Sequence, residues 1–145
     1  MLIHTLKSLI ATLSVGLMFT VADSVQAADP GIGESTITLG MSAPFSGPNG
    51  AYGKEMKEGA MAYFAQLNAA GGIHGRKVEL LALDDGYETD KTVANTRKLI
   101  NEQKIFALMA YYGSSPTTEA MKVFAEARVP LIGTISGAGS LRTPV

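Results

Sequence analysis

The sequence predicts an α/β fold: a single parallel sheet in β-α-β-α-β-α-β order, with helices packed on both of its faces. Three observations lead there. Short apolar runs alternate with segments of helical periodicity. The connections between them are short. Ile105-Phe106-Ala107-Leu108-Met109-Ala110 is a continuous apolar run, which suits a strand covered on both faces.

Residues 1–27 read as a cleavable secretory signal peptide. Lys7 supplies the positive amino-terminal region, and Leu9 to Ala22 is almost wholly apolar. Val25-Gln26-Ala27 places small residues where a signal peptidase needs them, so cleavage is expected after Ala27. The alternative, a transmembrane anchor, needs about 20 apolar residues, more than this run provides. The mature protein is therefore expected in the periplasm. Lipid tethering through an amino-terminal Cys is excluded because the chain contains no cysteine.

The elements follow in order. Residues 28–36, with Pro30, Gly31 and Gly33, read as a flexible lead-in to a domain over 37–145. Ile37–Met41 is the first strand. Lys54 to Ala70 places Met56, Ala60, Tyr63, Phe64 and Leu67 at helical spacing, and Gly71-Gly72 stops that helix. Val78–Leu83 is the second strand, and its near-alternation fits a sheet edge. Asp84-Asp85-Gly86 turns the chain into a helix over Thr89–Glu102 that buries Val93, Leu99 and Ile100. Ile105–Ala110 is the third strand. Ser115 as N-cap and Pro116 at the first helical position open the third helix, with Ala120, Val123, Phe124 and Ala127 on one stripe. Val129–Thr134 is the fourth strand, its Pro near the start. The chain then stops at Pro144-Val145 with no helix to cover that strand, so it reads as the amino-terminal part of something longer.

Composition narrows the function. In 145 residues, 13 acidic and 12 basic side chains leave a net charge of −1, which gives no electrostatic footprint for nucleic acid. Zero cysteines remove disulfides, so stability must come from a packed core. Ligands in open α/β sheets bind beyond the carboxyl ends of the strands. The first of those ends, Ser42 to Tyr52, is long for a βα loop and carries Pro44, Gly47, Pro48 and Gly50. Tyr111-Tyr112-Gly113-Ser114-Ser115 runs straight into a helix amino terminus, where free N–H groups and the helix dipole favour a carboxylate. One of Ser114 and Ser115 caps the helix; the other is free to face a ligand. Ser136-Gly137-Ala138-Gly139-Ser140 is either a small-residue loop that lets a ligand approach its backbone or an ordinary flexible loop. Tyr52, Tyr87, Tyr111 and Tyr112 fall in strand-end loops, where they can stack on a ligand or pack over the core edge.

No reaction chemistry is expected. Asp84-Asp85 lacks a third carboxylate or a His for a metal pocket and reads as a turn pair or a partner for a helix amino terminus. His74 stands alone in a Gly-rich turn at the opposite end of the sheet. Gly31-Ile32-Gly33 and Gly71-Gly72-Ile73-His74-Gly75 precede strands, so neither is a phosphate loop. No nucleophile–base pair can be assembled, so neither an enzyme nor a bound cofactor is expected.

The chain from Ile37 to about Leu141 resembles the amino-terminal lobe of type I periplasmic substrate-binding proteins of ABC transporters, the branched-chain amino acid (Leu/Ile/Val) type. The resemblance is carried by Gly40-Met41-Ser42-Ala43-Pro44-Phe45-Ser46-Gly47 with Tyr52-Gly53, by Asn68 to Arg76, by Asp84-Asp85, by Gly113-Ser114-Ser115 and by Val129-Pro130-Leu131-Ile132. It implies a bilobal clamp, monomeric when complete, that captures a small amino acid or related carboxylate and delivers it to a membrane permease. It further implies that Ser114, Ser136 and Ala138 hold the ligand's α-carboxylate and α-ammonium and that Tyr52 packs on its side chain. Tyr112 and Ser115, named from their strand-end positions, complete the candidate ligand site, and the second lobe is absent from this sequence. The same clamp could instead serve as the sensing ectodomain of a signalling receptor. Two departures stand out. Some leucine-type members tie the second and third βα loops with a disulfide, whereas Tyr87 and Gly113 stand there in this chain, so the loops are expected to be unlinked. Ala138 also brings no hydroxyl where the leucine-type pattern has one.

Overall fold

Four parallel strands and three helices follow the predicted order in a computed structural model that describes residues 29–142. The signal segment, and the last three residues of the expected lobe, lie outside the described residues. The elements are β1 (Thr36–Ala43), α1 (Gly50–Ala69), β2 (Lys77–Asp84), α2 (Thr89–Asn101), β3 (Ala107–Met109), α3 (Ser114–Glu126) and β4 (Leu131–Ile132), closed by a short 3-10 turn at Gly139–Leu141. The sheet order is β2-β1-β3-β4, which puts β2 at an edge, as its alternation suggested. Successive right-handed crossovers move outward in opposite directions from β1, so α1 covers one face while α2 and α3 share the other.

Register shows which side chains meet which helices. Gly40 lies opposite both Leu81 and Leu108, and Leu108 opposite Leu131. A side chain on Gly40 would lie 3.1 Å from Leu99 of α2, so glycine there lets the helix approach β1 closely. Leu99, Leu108, Tyr111, Ala120 and Phe124 form the buried core on this side, with Leu81 and Leu131 packed against it.

α1 begins at Gly50, four residues before the expected start, because two glycines let the preceding loop lie on its first turn. A Cβ on Gly53 would sit 1.8 Å from the Pro44 carbonyl oxygen. Met56, Ala60, Phe64 and Leu67 are half-buried, whereas Tyr63 of the same stripe is 62 % exposed. At the far end of α1, the Asn68 amide accepts from Val78 N–H (2.8 Å) and donates to its carbonyl (2.9 Å). That pair of bonds occupies outward-facing backbone groups of edge strand β2, which would otherwise be open to another strand.

From Asp29 the lead-in folds back on β1. Gly33 N–H donates to Thr36 (2.8 Å), Thr38 N–H donates to Gly31 (2.8 Å), and Ile32 bridges Ile37. Gly31 has φ +72, and a Cβ there would meet Phe106 N at 2.0 Å, so only glycine fits against the start of the third strand segment.

α2 departs most from the apolar pattern. Leu99 is fully buried, but Val93 and Ile100 are only half-buried, while Thr92 and Thr96 take the deepest positions. Their hydroxyls explain the choice. Thr92 shares its proton between Asp85 Oδ2 (3.0 Å) and the Glu88 carbonyl (3.1 Å). Thr96 donates to the Thr92 carbonyl (2.7 Å), so the Tyr111 hydroxyl, 2.9 Å away, donates to Thr96. Asp85 itself is 1 % exposed, and also accepts from Ser42 Oγ (2.8 Å) and Tyr87 N–H (2.9 Å). The turn pair expected from sequence is thus half solvent-facing and half core: Asp84 lies at the surface and Asp85 inside.

Two outcomes follow from this network. Asp85→Ala leaves Ser42 Oγ and Tyr87 N–H without their acceptor and Thr92 with the Glu88 carbonyl alone, and should lower stability by on the order of 3 kcal/mol. Urea denaturation of the purified protein would measure it, and a loss below about 1 kcal/mol would show that Asp85 is dispensable. The second concerns alkali. Burial, above all, pushes the Tyr111 phenol up from its ordinary 10.0, and the Asp85 charge adds to the effect. The folded state therefore holds the neutral phenol, and its contribution is complete below pH 10.0 and lost as pH rises beyond it. Tyr111→Phe should lose about 1 kcal/mol at neutral pH yet flatten the alkaline limb of the stability profile. Parallel limbs for the two proteins would contradict this.

Candidate functional site

The sheet order turns back between β1 and β3, and this switch point is where an open α/β sheet parts its loops. Three loops converge at the carboxyl ends there. The loop after β1 delivers Tyr52 in the first turn of α1. The segment after β3 delivers Tyr112 and the start of α3, and the segment after β4 delivers Ser136 and Ala138.

The step out of β3 is made by Ala110, whose φ of +55 is unusual for a residue with a Cβ. Strand alternation would place Tyr111 on the α1 side, like Met109. The turn at Ala110 instead sends Tyr111 under the sheet to Thr96, fully buried, and leaves Tyr112 half-buried at the mouth. The chain from β4 then runs alongside. Ile135 N–H donates to Tyr111 (2.8 Å), Gly113 N–H donates to Ile135 (2.9 Å), and Tyr112 bridges Ile135.

Gly113, not Ser115, is the N-cap of α3, and no side chain caps the helix. Its φ of 96 and ψ of 148 suit glycine alone, and the helix accordingly starts two residues earlier than expected, with Pro116 at the third helical position. Thr117 N–H donates to the Gly113 carbonyl (3.3 Å). The N–H groups of Ser114 and Ser115 have no protein acceptor among the described residues, at the positive end of the helix dipole.

The serines divide. Ala138 N–H donates to Ser136 Oγ (3.0 Å), and Ser136 Oγ donates to Ser114 Oγ (3.0 Å). This is a donor chain, and its last free proton is the hydroxyl hydrogen of Ser114. Polarisation along such a chain strengthens the terminal donor. Ser115 is exposed and takes no part in it. Ala138 contributes through its backbone, and its N–H is committed to Ser136.

The tyrosines also converge. Tyr52 and Tyr112 stack with centroids 5.1 Å apart and planes 15° from parallel. Tyr87 meets Tyr112 at 5.7 Å and 60°. Partial burial first, then the neighbouring phenols of Tyr52 and Tyr87, hold the Tyr112 hydroxyl above its ordinary range. Tyr87 was legible only as an aromatic in a strand-end loop; what places it here is Asp85, which binds its N–H at φ +68. Its ring lies on Gly113, where a Cβ would be 2.3 Å from Cε2. The second and third βα loops, expected to be unlinked, are therefore joined by a ring packed on backbone, without a covalent bond.

A cavity of about 510 Å3 lies elsewhere, at the amino ends of the strands, lined by Gly31, Thr36, Thr38 and Lys104 among others. It is formed where the lead-in folds back and holds none of these groups.

Comparison with known proteins identifies the family and the fold. The chain is 36 % identical over 98 residues to the Leu/Ile/Val-binding protein BraC3 of Rhizobium johnstonii, covering 68 % of this chain and 24 % of that one. It is 33 % identical over 93 residues to an amino acid binding protein of Pseudomonas aeruginosa, covering 64 % and 25 %. The crystal structure of the branched-chain amino acid transporter substrate binding protein LivJ of Streptococcus pneumoniae, in complex with isoleucine, superposes with a TM-score of 0.70 at 32 % identity, over 74 % of this chain and 31 % of that one. The chain thus spans about a quarter of the length of the curated relatives it matches. The periplasmic binding protein family model matches residues 36–145, from the first residue of β1 onward, and the chain belongs to that family.

Proposed function

We propose that this chain supplies the first half of the ligand site of a periplasmic solute-binding protein that serves an ABC importer. The solute is an amino acid, branched-chain or related, or a similar small carboxylate, held by closure of two lobes and passed to a membrane permease. The observation that carries this reading is the donor chain from Ala138 through Ser136 to Ser114, ending at an uncapped helix amino terminus. Hydroxyl and N–H donors at the positive end of a helix suit a carboxylate, and they perform no bond-breaking chemistry. The named functions of the relatives support the amino acid assignment. The predicted signal peptide, cleaved after Ala27, supports a periplasmic address.

Two-lobe closure follows from the half-open site: a ligand that touches both lobes stabilises the closed state by its contacts with each. Isothermal titration of the full-length, two-lobed protein against amino acids and small carboxylates should show saturable one-to-one binding. Ser114→Ala should weaken that binding about tenfold, the effect of losing one hydrogen bond to a charged group. Failure to bind any of these solutes would refute the reading, and unaltered affinity in the variant would remove Ser114 from the site.

A further inference from the structure

We propose that the ligand carries a planar aromatic ring beside its carboxylate, and that Tyr87 and Tyr112 act with Tyr52 to select it. The proposal rests on the reading that this site binds a small carboxylate, and it adds the chemistry of the side group.

Three rings from three separate segments, the first turn of α1 and the chain after β2 and after β3, meet at this end of the sheet. Tyr52 stacks on Tyr112 at 5.1 Å, and Tyr87 leans on Tyr112 at 5.7 Å. Their positions are tightly constrained. Tyr87 is held by its N–H bond to buried Asp85, and its ring is admitted against the α3 amino terminus only because Gly113 has no side chain. Tyr112 is aimed by the turn at Ala110. Yet Tyr52 remains 54 % exposed and Tyr87 42 % exposed, so ordered aromatic surface stands open beside the Ser114 donor.

The shape of that surface decides the ligand class. A branched aliphatic side chain gains most from a concave pocket that surrounds its methyl groups. This wall is made of ring faces and edges, which reward another ring through quadrupole alignment as well as area. Its rim carries the hydroxyls of Tyr52, Tyr87 and Tyr112, none of which has a hydrogen-bond partner among the described residues, so polar ring substituents would find donors and acceptors there. A cation also binds ring faces, but the adjacent positive end of α3 opposes it.

The test compares probes of equal charge and carbon count in the full-length protein. Benzoate is set against cyclohexanecarboxylate, and L-phenylalanine against L-cyclohexylalanine, with L-leucine alongside. The saturated rings are the more hydrophobic, so burial alone would favour them. The expected result is that the aromatic member of at least one pair binds about tenfold more tightly, and that Tyr87→Leu or Tyr52→Leu reduces the preference below about threefold. Both side chains are substantially exposed, and a melting temperature for each variant establishes that it folds; if one does not, the other carries the test. Equal affinity within both pairs, or a preference that survives both substitutions, overturns the proposal. Tight binding of leucine with weak binding of both aromatic probes overturns it while leaving the carboxylate site standing. No binding by any probe overturns the carboxylate site itself, and this proposal with it.

Discussion

The Asp85 carboxylate is the interaction on which the rest of this structure depends. It sits at the end of β2, buried, and receives donors from β1 (Ser42), α2 (Thr92) and its own turn (Tyr87 N–H). A buried carboxylate is tolerated only when its lone pairs are filled, and here each donor comes from an element that must be placed for the site to exist. Asn95 of α2 extends the bracket by donating to both Ser42 Oγ (3.2 Å) and the Asp84 carbonyl (3.1 Å). Asp84, next door, fastens the neighbouring loop by accepting from Phe45 N–H (2.7 Å) and Gly86 N–H (2.9 Å). Its bond with Ser46, chiefly, and then these backbone bonds hold its carboxyl below the ordinary range. One dipeptide thus fixes β1, α2 and two loops at the carboxyl ends of the strands.

The second half of the frame is tied to the first through Tyr111. Its hydroxyl reaches Thr96, whose own proton goes to Thr92, so the third strand is referenced to the same helix that holds Asp85. The left-handed turn at Ala110 makes this possible, by sending consecutive tyrosines to opposite destinations. Strain of this sort costs of order 1–3 kcal/mol and persists where surrounding contacts fix it. The return here is specific: Tyr111 anchors the loop in the core and Tyr112 stands in the mouth. Rigid support beneath, exposed aromatic surface above, is how a binding loop keeps its shape before a ligand arrives.

Strand order, helix order and the sheet edge at β2 were all legible, because they rest on periodicity and on the length of each connection. Boundaries were less so. The start of α1 was hidden because Gly50 and Gly53 look like loop residues until Pro44 is seen lying against them. Thr92 and Thr96 were not among the positions of α2 expected to be buried, since no local pattern announces that a buried carboxylate and a phenol will need hydroxyls. The same holds for the N-cap of α3. Ser115-Pro116 is a sound local signal, but Gly113 wins because only glycine accepts its backbone angles beneath the Tyr87 ring. Of the candidate site residues, Tyr52, Tyr112, Ser114 and Ser136 were placed by the strand-end rule and come together. Ser115 was named with them yet takes no part in the donor chain, and Tyr87 was left out of them although it joins the rings. In each miss the deciding partner is distant in sequence.

Under the proposed function, the charge pattern of these loops gives closure an energetic purpose. Toward the open side it presents donors: two N–H groups of α3, the Ser114 hydroxyl and the phenols. Its nearby carboxylates are committed, Asp85 inside its network, Asp84 to the loop backbone, and Glu88 to Lys91 at 2.7 Å. An α-ammonium would therefore find no free counter-charge on these loops, whereas a carboxylate would find several donors. Such donors are weak in open water, where solvent competes for each one, and strengthen steeply once water is excluded and the local dielectric falls. A covering lobe that brings a negative group would satisfy an ammonium and dry the donors in the same movement. The geometry on this side, with donors fixed in advance and rings left uncovered, supplies what the proposed closure needs.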